Sequence, residues 1–255
     1  MTRKLLRQFL CCTKATAIAV LVSSCASTTK DTVFRDTKSA MVFRMMTEKL
    51  ASASTLEFTA VRTSSPGTVA GMEVAENAVL SGHMKRPGSL RIESRSELGT
   101  RTVVYDGRQL VLIDYHAGTY AKVQAPPTLD ATLYWVSSNY GFSPPVAELL
   151  VNDPESFLLD GVTKAWHGGT VSVDGVSCDR LVFAQPGLQW ELCVGEQDSL
   201  PRKISQVYET PRGSPPRHVT AVFKTWKLNP PLPASSFVVR IPSGSQAVDM
   251  IPLKP

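Results

Sequence analysis

Apolar runs with a period of two, set between tight turns, limit this chain's folding options more than any other feature. Leu56, Phe58 and Ala60 alternate with Glu57, Thr59 and Val61, and Leu90 and Ile92 alternate with Arg91, Glu93 and Arg95. Such alternation marks half-buried strands. Residues 79–84, 101–105, 109–113 and 120–123 extend the pattern. Asp106-Gly107 and Asp174-Gly175 each separate two apolar runs, the composition of a tight hairpin. Strands joined by turns this short pair antiparallel, because parallel pairing needs a long crossover. Further strands are expected at 162–166, 170–173, 176–183, 190–194, 204–208, 219–228 and 237–241.

Helical periodicity appears twice. Val42, Met46 and Leu50 recur every fourth residue, with Met41 and Met45 as a neighbouring row, which predicts a helix from Asp36 to about Ala53. Asp36 is its expected N-cap. Three methionines give this helix an adaptable apolar face, suited to core packing or to contact with a lipid chain. Leu129, Leu133 and Val136 predict a second helix over 128–140. Short helices are expected after Pro144-Pro145 and after Asp153-Pro154, since proline suits a first helical turn. This central insert carries Tyr134, Trp135, Tyr140, Phe142 and Phe157. Strands on both sides of a helical insert predict one α+β domain with a single large antiparallel sheet.

The N-terminus has a different character. Arg3, Lys4, Arg7 and Lys14 precede a short apolar run over 15–22, then Ser23-Ser24-Cys25. A basic region, a short apolar core and small residues before a cut make an export signal. Val22-Ser23-Ser24-Cys25 also resembles the bacterial lipobox, whose cysteine becomes the lipidated first residue. The expected organisation is a lipoprotein-type signal peptide at 1–24, a lipidated tether at 25–35 and a single domain at 36–255. Cys25 would carry covalent diacylglycerol and an N-acyl lipid, and several chains hold a protein durably on a membrane. Ala26 is not the aspartate that marks inner-membrane retention in enteric-type sorting. The expected place is therefore the periplasmic face of the outer membrane in a Gram-negative envelope. Removing the signal also removes most of the net charge: the chain of 255 residues has 27 basic and 22 acidic residues, and +5 falls to +1. Without bulk positive charge no nucleic-acid partner is expected.

Cys178 and Cys193 remain in the exported chain and flank Ala184-Gln185-Pro186-Gly187. A four-residue loop at 184–187 would set Phe183 opposite Leu188 and Cys178 opposite Cys193, within reach of a cross-strand disulfide. A slip of one residue separates them and leaves two half-buried thiols.

Several stretches resemble the lipoprotein-localisation-factor (LolA/LolB-like) superfamily. Met84-Lys85-Arg86-Pro87-Gly88-Ser89-Leu90-Arg91 looks like its Arg-Pro corner between strands, and Val104-Tyr105-Asp106-Gly107-Arg108-Gln109-Leu110 like its Asp-Gly hairpin. Phe237 to Gly244 resembles its C-terminal strand. Gly175 to Asp179, with Trp190 and Leu200-Pro201-Arg202-Lys203, is similar to a family of predicted periplasmic proteins of unknown function within that superfamily. The resemblance implies a curved, unclosed antiparallel half-barrel of about eleven strands with helices on its concave side. It also implies a lid at 128–159 over an apolar cavity, and a strand arginine that hydrogen-bonds the lid, which the resemblance assigns to no position here. Met41, Met45, Met46, Leu133, Tyr134 and Trp135 are the candidate cavity or lid residues.

The chemistry-bearing residues form no recognisable catalytic pattern. His83, His116, His167 and His218 lack zinc-motif spacing, and no Gly-x-Ser-x-Gly elbow or phosphate-binding glycine loop occurs. Asp153 and Glu155 suit a helix start rather than an acid–base pair. Arg91, Glu93 and Arg95 read as a solvated strand face. No catalytic residue, metal or cofactor is expected. The favoured function is binding of acyl chains or another hydrophobic ligand in the half-barrel, in lipid or lipoprotein localisation. The alternative is a protein-interaction or envelope-stress sensing module with a filled interior, and an uncharacterised hydrolase comes third.

Overall fold

The computed structural model describes residues 33–69, 72–74, 77–210 and 215–253. The expected signal, Cys25 and most of the tether lie outside them. Helix α1 (Thr37–Ser52) comes first, with Asp36 accepting from the Ser39 amide at 2.7 Å as predicted. Strands β1 (Thr55–Ser64), β2 (Gly67–Val69), β3 (Met72–Val74), β4 (Asn77–Lys85), β5 (Ser89–Ser96), β6 (Gly99–Tyr105), β7 (Gln109–Asp114) and β8 (Thr119–Gln124) follow. The insert holds α2 (Leu129–Tyr140), a 3-10 turn (Ala147–Leu149) and α3 (Pro154–Leu159). The chain ends with β9 (Lys164–Val173), β10 (Val176–Gln185), β11 (Leu188–Gly195), β12 (Pro201–Tyr208), β13 (Arg217–Leu228) and β14 (Gln246–Ala247).

Twelve strands form one unclosed sheet in the order β14-β8-β7-β6-β5-β4-β1-β13-β12-β11-β10-β9. Every neighbouring pair is antiparallel except β14 with β8. β2 and β3 form a separate small ribbon. The fold is thus α+β, a large open antiparallel sheet with helices, close to the expected strand number. Its order explains the lid. β8 lies next to one edge and β9 forms the other, so the connection between them must cross the whole sheet. That crossing carries α2, the 3-10 turn and α3, and it buries Leu129, Leu133, Val136, Leu149, Leu150 and Leu158.

α1 uses its periodic face against the same side of the sheet. Val42, Phe43, Met46 and Leu50 are buried, and Phe43 packs on Phe34 and Phe183 at ring distances of 5.6 and 5.5 Å. Phe183 in turn stacks on Trp190 at 3.8 Å. On β1 the inner row is Leu56, Phe58 and Ala60, all buried.

Three local expectations are corrected. The runs at 162–166 and 170–173 are one strand, β9, with a register shift opposite Asp179 and Leu181 that absorbs Gly168-Gly169. Residues 237–241 form no strand: Ala234–Phe237 is a 3-10 turn that buries Phe237, and the chain rejoins the sheet only at β14, beside β8. The β10–β11 hairpin turns on Pro186-Gly187 alone, with Gln185 opposite Leu188. Proline followed by a glycine at φ +75° closes a two-residue turn, and the Phe183–Trp190 stack fits that register. Cys178 therefore faces Gly195 and Cys193 faces Arg180. Both cysteines are free and buried.

Candidate functional site

Beneath the lid lies a cavity of about 570 Å³, within the size range of small-molecule sites. Its walls come from the inner rows of β1, β5, β6, β7, β11, β12 and β13, and its roof from α2, α3 and the loop between them. One region is apolar: Ile92, Val103, Leu112 and Trp190 on the sheet meet Leu133, Phe142, Phe157 and Leu158 of the lid. Another is polar, with Arg62, Ser94, Ser96, Arg101, Gln206, Tyr208 and Arg217.

Of the residues expected to line a cavity, Leu133 and Tyr134 do so. Tyr134 packs on Phe157 at 4.5 Å, a lid-internal contact that shapes the roof. Trp135 does not reach the cavity; it packs edge-on against Tyr140 at 5.4 Å. None of the three methionines lines it either. Met46 belongs to the row of α1 that faces the sheet and is fully buried, whereas Met41 and Met45 point to solvent, 53% and 49% exposed. Helical geometry separates these rows, because only residues three or four apart share a face.

The polar groups carry no recognisable motif in the sequence. Glu148 of the 3-10 turn is half-buried and lines the cavity, and burial pushes its pKa up to about 7. Burial also raises the Tyr208 phenol, and nearby Glu148 adds to that while Arg217 opposes it. Burial lowers the pKa of Arg62, helped by the charges of Arg217 and Arg101, with Glu97 acting in the opposite sense. The Arg217 guanidinium lies 5.7 Å from the Tyr208 ring. One signal for Arg62 is present in the alternation: it takes the next inward slot after Leu56, Phe58 and Ala60.

The lid is tied down by Arg86, at the Arg-Pro corner between β4 and β5. Its guanidinium donates to the carbonyls of Leu50 and Ala53 at the end of α1, both at 2.9 Å, and to that of Val151 in the lid at 2.5 Å. It also reaches the Asn152 side-chain oxygen at 3.2 Å. Asp130 of α2 accepts from the Asn152 and Asp153 amides at 2.9 and 3.0 Å, locking the two halves of the lid together. The resemblance implies a strand arginine on the lid; Arg86 contacts the insert from the turn after β4, not from a strand. Among the described residues, no three His, Cys, Asp or Glu side chains gather as metal ligands.

No curated protein matches this chain. Solved structures similar to it include an uncharacterised conserved protein from Thermus thermophilus, 14% identical, covering 83% of this chain and 99% of that one with a TM-score of 0.49. The Mycobacterium tuberculosis lipoprotein LppX is 10% identical, with 76% and 98% covered and a TM-score of 0.45. A LolA superfamily protein from Nitrosomonas europaea is 9% identical, with 79% and 97% covered and a TM-score of 0.36. A family model described as "Predicted periplasmic protein (DUF2092)" matches residues 39–251, nearly the whole of the helix, sheet and lid described above, and the chain belongs to that family.

Proposed function

We propose that this chain is an envelope lipoprotein that holds a hydrophobic ligand in the cavity beneath its lid. It would be anchored through lipid on Cys25 to the periplasmic face of the outer membrane and act in lipid or lipoprotein localisation. The observation that carries this reading is the cavity itself. A sheet wall of Ile92, Val103, Leu112 and Trp190 is left facing a roof of Leu133, Phe142 and Leu158 with about 570 Å³ between them. Native interiors are packed with few voids larger than a water molecule, so a hollow this size with apolar walls suits a guest. Each buried methylene would contribute about 0.8 kcal/mol, and no catalytic group is needed. Entry and release would follow movement of the lid, with the Arg86 hydrogen bonds to Val151 and Asn152 holding it shut. The sensing alternative calls for a filled interior, which such a hollow does not favour.

The test is uptake of a fluorescent fatty acid by the full-length, delipidated protein, together with mass spectrometry of lipid that copurifies. Saturable uptake, lost when Leu133→Trp fills the roof, is the expected result. A protein that takes up no probe and copurifies with no lipid overturns the reading. Labelling with radioactive palmitate, absent in Cys25→Ala, tests the anchor separately.

A further inference from the structure

Three arginines occupy inward positions of the sheet at one end of the cavity. On β1 the inner row runs Leu56, Phe58, Ala60, Arg62. On β13 it runs Phe223, Ala221, Val219, Arg217, and on β6 Tyr105, Val103, Arg101. In each strand the arginine stands where the alternation calls for an apolar residue. The register brings them to the same end. Arg62 pairs with Ala221, two residues along β13 from Val219 and four from Arg217, and Ala78 links it through Ser96 to the strand edge where Arg101 pairs with Ser94. All three line the cavity.

Placing a charge at an inward position is costly unless it meets a counter-charge. Asp114 grips Arg101 from the neighbouring strand at 2.7 Å, and Glu97 lies near Arg62. Neither Asp114 nor Glu97 is among the residues lining the cavity, whereas Arg62, Arg101 and Arg217 are. The acids that do line it, Glu148 and Asp160, belong to the lid, and Glu148 stands near Tyr208 at the arginine end. Ser94, Ser96, Gln206 and Tyr208 add hydrogen-bonding groups around the arginines. The cavity is therefore amphipathic along its length, apolar under α2 and α3, with Arg62, Arg101 and Arg217 outnumbering the one nearby lining acid, Glu148, at the strand ends.

We propose that the cavity takes a single-chain amphiphile with an anionic carboxylate or phosphate head, its tail under the lid and its head among Arg62, Arg101 and Arg217. The inference rests on the hydrophobic-ligand reading above and adds the chemistry of the head. Guanidinium groups suit both heads, since their fork matches carboxylate and phosphate oxygens. At about 570 Å³ the cavity falls in the range of small-molecule sites, which a single-chain amphiphile fits.

Isothermal titration of the full-length, delipidated protein in a non-ionic detergent separates the parts. The ligands are palmitate, palmitoyl lysophosphatidic acid, neutral monopalmitoylglycerol and inorganic phosphate alone. Both anionic lipids are expected to bind at least about tenfold more tightly than the neutral one, and more weakly as salt rises. Arg217→Gln, and separately Arg62→Gln, should cost the anionic lipids about tenfold and leave monopalmitoylglycerol essentially unaffected. Unchanged thermal melting shows that each variant is folded, and Arg217, at the more open strand end, serves if Arg62→Gln does not fold. Equal binding of anionic and neutral lipids, or an equal loss for both in the variants, overturns the head-group assignment and leaves the hydrophobic cavity standing. Phosphate binding as tightly as the lysophospholipid overturns it as well, because the site would then be an ion site without a tail. Binding of no lipid at all overturns the underlying reading.

Discussion

The Arg86 guanidinium donates to the Val151 carbonyl at 2.5 Å and to the Leu50 carbonyl at 2.9 Å, so one side chain from a strand corner joins the lid to the end of α1. The Leu50 carbonyl otherwise accepts only a long bond of 3.4 Å from the Ala53 amide at the helix end, and Leu50 and Val151 are buried. Arg86→Ala strips them of a charged donor. The expected cost is about 3 kcal/mol, the range for lost charge-assisted bonds and unsatisfied buried groups. Thermal melting reads the loss, and amide hydrogen exchange across 147–153 should quicken more than exchange in the central strands β1 and β4. Equal quickening everywhere would show that Arg86 stabilises the domain without specifically holding the lid.

Glu148 gives the cavity a pH signature. Its pKa is raised by burial to about 7, above the usual carboxylate value near 4.3. Between those values the folded protein binds more protons than the unfolded chain, so this residue makes stability fall as pH rises. The penalty is absent below about pH 4, grows through the interval and is complete above about pH 7. Glu148→Gln, which cannot ionise, should melt at a higher temperature than the wild type at about pH 8 and show no such advantage at about pH 4. A gap independent of pH would place the Glu148 carboxyl in water.

What the sequence disclosed and what it hid follow a physical division. Period-two alternation, the Asp-Gly turns and the Asp36 cap are local signals, and β1, β4 to β8, α1 and α2 emerge where those signals stand. The hairpin at Pro186-Gly187 departs from the four-residue loop because loop length and register depend on which aromatic rings meet across the strands. Phe183 stacks on Trp190 and so moves Cys178 away from Cys193. The methionines of α1 are legible as an apolar row, but which row faces the sheet is settled by Phe43 filling the space against Phe34 and Phe183. The inward slot of Arg62 can be read from β1 alone, and Arg101 reaches its end through the successive hairpins β1-β4-β5-β6, whereas Arg217 needs the long-range pairing of β1 with β13. That pairing spans most of the chain and leaves no local trace.

Asp179 fastens α1 to the sheet. Its Oδ1 accepts from Lys38 Nζ at 2.6 Å and lies 2.7 Å from His167 Nε2. Burial on its own would raise this carboxyl, but the hydrogen bonds from Lys38 and His167 outweigh it and hold the pKa below the ordinary value. The stability it contributes is present above the unfolded value near 3.9 and is lost as pH falls through the lower folded value. Asp179→Asn should therefore destabilise the protein at neutral pH, on the order of 2 kcal/mol for charge-assisted bonds. The difference should shrink below about pH 4. Urea melts of both proteins at about pH 7 and about pH 2.5 measure it, and a difference that persists at the lower pH would trace the loss to packing instead.

Gly82 marks the place where the sheet leaves no room at all. It pairs with Phe58 across β1 and β4, and a Cβ built on it would meet the Phe58 ring at 2.0 Å. Phe58 is 1% exposed and packs on Phe223 and Trp226 at ring distances of 5.8 and 5.5 Å. The ring has nowhere to retreat, so Gly82→Ala forces either an off-rotamer phenylalanine or a shift of β4. Overpacking of this kind costs about 1–3 kcal/mol, although alanine would otherwise suit a strand interior better than glycine. The expected outcome is a lower melting temperature for Gly82→Ala, and its recovery in Gly82→Ala with Phe58→Leu, where the smaller side chain vacates the space over β4. Failure of the second substitution to restore any stability would show that the cost lies in the backbone of β4 and not in the contact with the ring.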